Sequence, residues 1–229
     1  MPVHQQTAGP VGRLTLDRPG RANAYDRAHL DALLAGAVDL AARCAVLVVD
    51  AEGGAFCGGA DLDELGAASP IEALELRSQR VFTAIARLPC VTIAAVQGPA
   101  VAGGFELALA CDLRVAGPDA AFWLPETKLG IIPSAGGTTR LTRLVGPSRA
   151  KEVILGGRRI DAATALAWGV VHRVASDLRA EALAWAEEIA ARDPRALAAA
   201  KQLIDAGDSD GALARERQAE AVLYALKKK

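Results

Sequence analysis

Among the residues able to do chemistry, two glutamates are set apart by their surroundings. Glu106 is the only charged side chain in Val101-Ala102-Gly103-Gly104-Phe105-Glu106-Leu107-Ala108-Leu109-Ala110. A carboxylate placed among apolar residues loses hydration, so the position requires a compensating partner or a functional use. The structural alternative is an ion pair with one of the nearby arginines. Glu126 follows Phe122-Trp123-Leu124-Pro125 and precedes Leu129-Gly130-Ile131-Ile132-Pro133. With Lys128 beside it, it also reads as a solvated loop acid. Spacing alone does not bring the two glutamates together. If they share a pocket, they suit general acid–base work, one accepting a proton while the other gives one.

Two glycine-rich segments, 53–59 and 98–104, carry a complementary capability. Each follows an apolar run and precedes a helical pattern, so each can present main-chain N–H groups at a helix start. Glycine and alanine keep side chains away and let a ligand approach the backbone. Two such loops on parallel strands can aim two amides at one carbonyl oxygen, an oxyanion hole. Plain connecting turns are the competing reading.

The remaining chemistry is sparse. The chain has three histidines, His4, His29 and His172, and none has a partner at metal-ligand spacing. Phosphate-loop, dinucleotide and serine-hydrolase signatures are missing. The 26 basic and 27 acidic residues leave a formal charge of −1, which offers nucleic acid or an anionic membrane no global attraction. No apolar run reaches the roughly 20 residues of a spanning helix, and the first twelve residues lack a signal-peptide pattern. Cys44, Cys57, Cys90 and Cys111 form no C-x-x-C pair, and three of them sit in apolar or Gly/Ala-rich surroundings. They read as core thiols in a reducing cytoplasm.

The elements that must position these groups follow from periodicity. Residues 11–16 alternate as a short strand, 26–42 carry helical spacing, and 45–49 form a valine-rich buried strand. Residues 70–87 form a long amphipathic helix. A second buried strand at 91–96 leads through the second glycine loop into a short helix at 105–111. Short strands follow at 113–116 and 121–124, and Gly136-Gly137 opens a helical stretch. Strand, glycine loop and helix thus recur, which predicts a layered α/β architecture. Beyond Gly146 the pattern becomes helical (150–155, 161–168, 178–192, 194–206 and 211–226), with one strand near 170–174. We expect a core over 1–146 and a helical region over 147–229 packed on it or on a neighbouring subunit.

Several motifs occur together and in order: Arg18-Pro19 with Asn23-Ala24; Ala55-Phe56-Cys57-Gly58-Gly59-Ala60-Asp61-Leu62; Gly98-Pro99-Ala100-Val101-Ala102-Gly103-Gly104-Phe105-Glu106; Cys111-Asp112-Leu113-Arg114; and Pro125-Glu126 through Gly136-Gly137-Thr138 to Arg140-Leu141. This set resembles the enoyl-CoA hydratase (crotonase) family from about residue 14 to about residue 204. The resemblance implies a crotonase-like α/β fold of repeated ββα turns, no separate cofactor, an acyl-CoA substrate and a homotrimer or a dimer of trimers. Glu106 and Glu126 match the family hydratases' catalytic acids, with Glu126 assigned as acid and Glu106 as the base that activates water. The amides of Ala60 and Gly103 match the oxyanion hole. Arg21, Ala22, Cys57, Asp61, Leu62 and Ser134 match the coenzyme A and substrate contacts. Leu65, Phe105, Trp123 and Ile132 are candidate pocket walls.

The resemblance implies hydration of a 2-enoyl-CoA. An enoyl-CoA isomerase of the same family and a catalytically silent acyl-CoA-binding protein are the alternatives. Three departures matter. Ser134 replaces the first glycine of a Pro-Gly-x-Gly-Gly run, and Asp63 stands where some members have a lysine that meets the coenzyme phosphates. The sequence ends on three lysines without the usual charged final helix, which bears on coenzyme binding and assembly.

Overall fold

The computed structural model describes residues 3–61, 63–64, 76–207 and 211–227. Strands β1 (Val3–Ala8), β2 (Val11–Leu16), β3 (Val46–Ala51), β4 (Val91–Val96), β6 (Leu113–Ala116) and β9 (Arg173–Val174) form one sheet in that order. β1 pairs antiparallel with β2, and every other pair in this sheet is parallel. A smaller sheet has the order β5 (Pro99–Val101), β7 (Ala121–Trp123), β8 (Ile160–Asp161).

β3 and β4 are buried along their whole length, as a parallel sheet covered on both faces requires. Alternation assigns their side chains to two cores. Leu47 and Val49 join the larger core beneath α1 (Arg27–Ala41), with Leu30, Leu33 and Leu40. Val46, Val48 and Ile93 face the other way, onto Ala182, Ala186 and Ile189 of α6 (Leu178–Ala190). Between these lie α2 (Arg77–Ala86), α3 (Gly103–Ala110), α4 (Gly137–Ile154) and α5 (Ala162–Ala167). The chain closes with α7 (Pro194–Ala206) and α8 (Ala212–Lys227). Among the described residues no helix is long and apolar enough to cross a membrane.

The layered α/β expectation holds, with local differences. The helix read at 70–87 is described only from Arg77 onward, and Leu62 and Leu65 lie outside the described residues. β1 is a polar strand with five exposed positions, and β5 lies inside the segment read as a glycine loop. The region 147–229 is helical but also lends β8 to the small sheet and β9 to the edge of the large one. α4 is two helical stretches separated by a kink at Gly146, whose φ of 77° and ψ of 163° ahead of Pro147 are not helical.

The Asn23 side chain is one of the links that hold the turn after β2 to the loop after β3. Asn23, 1% exposed, accepts from the Arg18 N–H (2.7 Å) and donates to the carbonyls of Glu52 (2.9 Å) and Ala55 (2.8 Å). Its φ of 55° is a conformation asparagine tolerates better than alanine. Asn23→Ala should therefore cost about 1–3 kcal/mol by leaving buried groups unpaired, read as a lower urea midpoint with unchanged slope. An unchanged midpoint would contradict this role.

Candidate active site

The two glycine loops run side by side. The N–H groups of Phe56 and Cys57 donate to Pro99 O, and Val101 N–H donates back to Cys57 O at 2.9 Å. A further parallel bridge joins Tyr25 to the first loop, with Tyr25 N–H donating to Gly59 O (2.9 Å) and Asp61 N–H to Tyr25 O (2.8 Å). Such a bridge uses the groups of residues 59 and 61, so the Ala60 amide points away from Tyr25. The loops touch at Gly59, where a Cβ would lie 3.2 Å from the Gly103 nitrogen, and at Gly104, where a Cβ would lie 2.0 Å from Cys57 O. Ala102 turns the chain into α3 with φ 51° and ψ −125°, a strained conformation for a residue with a side chain. Gly103 follows as the first residue of α3, where helical geometry supplies its amide with no acceptor. The Ala60 and Gly103 amides thus come from adjoining loops, an arrangement able to polarise one carbonyl oxygen.

Glu106 sits in the first turn of α3 and is 3% exposed. Its Oε1 accepts from the Ala135 N–H at 2.8 Å and the Gly137 N–H at 2.7 Å, where α4 begins. A Cβ on Gly137 would lie 2.9 Å from that oxygen, so glycine permits the contact. Arg140, the candidate structural partner, binds the Ala135 carbonyl at 2.8 Å. Burial raises the Glu106 pKa, while the two amides and the Arg140 charge oppose the rise.

Glu126 opens the short 3-10 helix Glu126–Leu129 after β7. It is 6% exposed, so it is not a solvated loop acid. Among the described residues its buried Oε2 has no hydrogen-bond partner. Burial first, and then the charge of Glu106, push its pKa up to about 7. The two acids therefore lie within each other's field, in unequal surroundings.

The other positions named from the sequence fall around this centre. Arg21 is exposed and pairs with Asp63 at 3.3 Å. Ala22, at φ 49°, gives its carbonyl to the Gly58 N–H. Asp61 is buried in an ion pair with Arg18 at 2.9 Å. Cys57 is 1% exposed, with its amide, carbonyl and thiol all bonded inside the fold, the thiol to Asn23 O, and burial pushes its pKa up to about 12. Its place is in the loop's frame. The Ser134 carbonyl accepts from the Gln79 side chain at 2.7 Å. Phe105 is fully buried against Phe122, while Ile132 is 63% exposed beside the site.

The sequence model of the enoyl-CoA hydratase/isomerase family matches residues 6–228. The chain belongs to this family. It is 40% identical to the Bos taurus mitochondrial "enoyl-CoA hydratase domain-containing protein 2", over 87% of this chain and 72% of that one. It is 38% identical to the Mycosarcoma maydis "enoyl-CoA isomerase/hydratase fer4", over 86% and 77%. An enoyl-CoA hydratase of Bacillus anthracis superposes with a TM-score of 0.91 at 36% identity, covering 96% of this chain and 89% of that one. A structure described as enoyl-CoA hydratase subunit I from Geobacillus kaustophilus gives 0.93 at 35%, covering 97% and 90%. The crotonase fold, with two sheets and C-terminal helices, is thereby shown, and the family's chemistry concerns acyl-CoA.

Sequence reasoning passed over Tyr25 and the amides of Ala135 and Gly137. The second pair had a signal, since two glycines opening a helix make an anion-binding terminus. Tyr25 had none beyond its place before Asp26.

The raised Glu126 pKa also acts on stability. An acid whose folded pKa is raised contributes stability that is present below its unfolded value and lost as pH rises through the folded value. For Glu126 that window runs from about 4.5 to about 7. Glu126→Gln, which cannot ionise, should gain stability relative to the unsubstituted protein across that window. Urea midpoints measured at several pH values test this, and a difference independent of pH would refute it.

Proposed function

We propose that the protein hydrates 2-enoyl-CoA thioesters to 3-hydroxyacyl-CoA. The observation that carries this reading is the pair of buried glutamates in unequal environments, with two glycine-rich loops that adjoin main chain to main chain. The thioester oxygen binds the Ala60 and Gly103 amides, which stabilise the enolate-like charge, one such donor typically contributing about 3–4 kcal/mol. Glu106, with Oε1 fixed by two amides and Arg140 nearby, is the acid better able to stay ionised. It accepts a proton as water attacks C3. Glu126, whose pKa lies at about 7, holds the proton that goes to C2. The two acids titrate as a coupled pair, and proton exchange with solvent resets them.

The same reading gives the segment around Arg21 and Ala22 and the loop from Cys57 to Leu62 to the coenzyme, with Ser134 at the substrate. Asp63 takes Arg21 in a surface pair, so an anionic coenzyme must displace that carboxylate. Assembly as a homotrimer or a dimer of trimers would cover apolar residues such as Ile204, Leu213 and Val222 on α7 and α8, each more than half exposed. The four buried free thiols support a reducing compartment, which we read as the cytoplasm.

A panel of short, long and aromatic 2-enoyl-CoA thioesters should lose its enoyl absorbance and give products heavier by one water. A shifted alkene instead of a 3-hydroxyacyl product would establish isomerisation, and tight binding without turnover would establish a binder. Glu106→Gln and Glu126→Gln should each lower kcat by about 10²–10⁴ with little change in acyl-CoA affinity. Full activity in either variant would remove the two-acid mechanism.

A further inference from the structure

Tyr25 joins the two loops in a way that the family motifs do not describe. Its main chain brackets Ala60, bonding to Gly59 O at 2.9 Å and to Asp61 N–H at 2.8 Å. Its ring is 8% exposed and packs edge-on against Phe82 at 5.7 Å. The hydroxyl reaches the second loop, since a Cβ on Gly103 would lie 1.8 Å from Oη and 2.8 Å from Cζ. The phenol therefore rests against the Gly103 Cα, one bond from the amide nitrogen. The charges of Glu106 and Glu126 act on the phenol. The backbone is anchored just downstream, where Asp26 caps α1 and His29 returns the bond.

Resting on the hydratase reading above, we propose that Tyr25 is a positioning residue that sets the aim of both oxyanion amides. Its main chain holds Ala60 in register, and its hydroxyl, carried on a ring packed against Phe82, keeps Gly103 from receding. Burial and the surrounding carboxylates hold the phenol's pKa well above its ordinary value, so it stays neutral and serves as a strut rather than a base. The glycine at 103 is then required by Tyr25 as well as by any thioester that approaches there.

The test uses the full chain, a 2-enoyl-CoA substrate and its isotope-labelled thioester. Tyr25→Phe keeps the ring and the main-chain bridge but loses the hydroxyl contact. Its kcat should fall about tenfold to a hundredfold, less than the loss of a whole donor, with KM changed by less than about threefold. The infrared carbonyl shift of the bound labelled thioester should shrink in parallel. Wild-type kcat and carbonyl shift in a folded Tyr25→Phe variant would overturn the proposal. A second comparison concerns Gly103→Ala, which should be severe alone and cost at least about tenfold less when Tyr25→Leu removes the colliding phenol. Multiplicative costs would also overturn it. If the unsubstituted protein binds and polarises the thioester without hydrating it, the hydratase reading fails, and the carbonyl shift still decides the role of Tyr25.

Discussion

The site depends on how closely two stretches of backbone approach one another. Loops 52–61 and 97–104 are hydrogen-bonded main chain to main chain, and contacts at Gly59 and Gly104 close the remaining gap. A methyl group on Gly104 would stand 2.0 Å from the Cys57 carbonyl, a distance that forces the backbone itself to move. Since the Ala60 and Gly103 amides sit on these loops, that movement would misaim them. The strained Ala102 belongs to the same arrangement, because the turn there converts the outgoing strand into a helix start within one residue. Parallel pairing of β3 and β4 brings both loops to the same edge of the sheet.

Around this frame the protein keeps two acids away from water by different means. Glu106 exchanges hydration for two amides at the start of α4 and a nearby arginine. Glu126 receives less compensation, and its pKa moves to about 7. The asymmetry follows from what each acid meets: one faces a helix N-terminus, the other the interior after β7. On the hydratase reading proposed above, equal compensation would leave nothing to distinguish an acid from a base. The asymmetry between the two acids therefore lies in where α4 begins, at Gly137, whose amide meets Glu106.

Much of this was legible in the chain because it rests on local signals. The valine runs of β3 and β4, the glycines between strand and helix, and the lone acid in 101–110 each carry a physical demand within a few residues. What escaped reading depends on distant pairing. β1 has a polar sequence and becomes a strand because it lies along β2. β5 is three residues long and exists through β7, and β8 is a two-residue segment that the small sheet recruits from the helical region, whereas the strand read near 170–174 is present as β9. Arg21 and Asp63, read separately as a coenzyme contact and a departure, turn out to face each other.

Tyr25 shows the same limit at the level of chemistry. An aromatic residue just before a helix cap reads as core, and its ring does pack in the core against Phe82. Only the fold shows that its main chain lies along Ala60 while its hydroxyl lands on Gly103. Its ring is fixed by the contact with Phe82 and its main chain by two hydrogen bonds, so the hydroxyl has little freedom to leave Gly103. On the hydratase reading proposed above, the loops that carry the Ala60 and Gly103 amides need that rigidity, since an amide helps a developing charge only if it is already aimed when the charge appears.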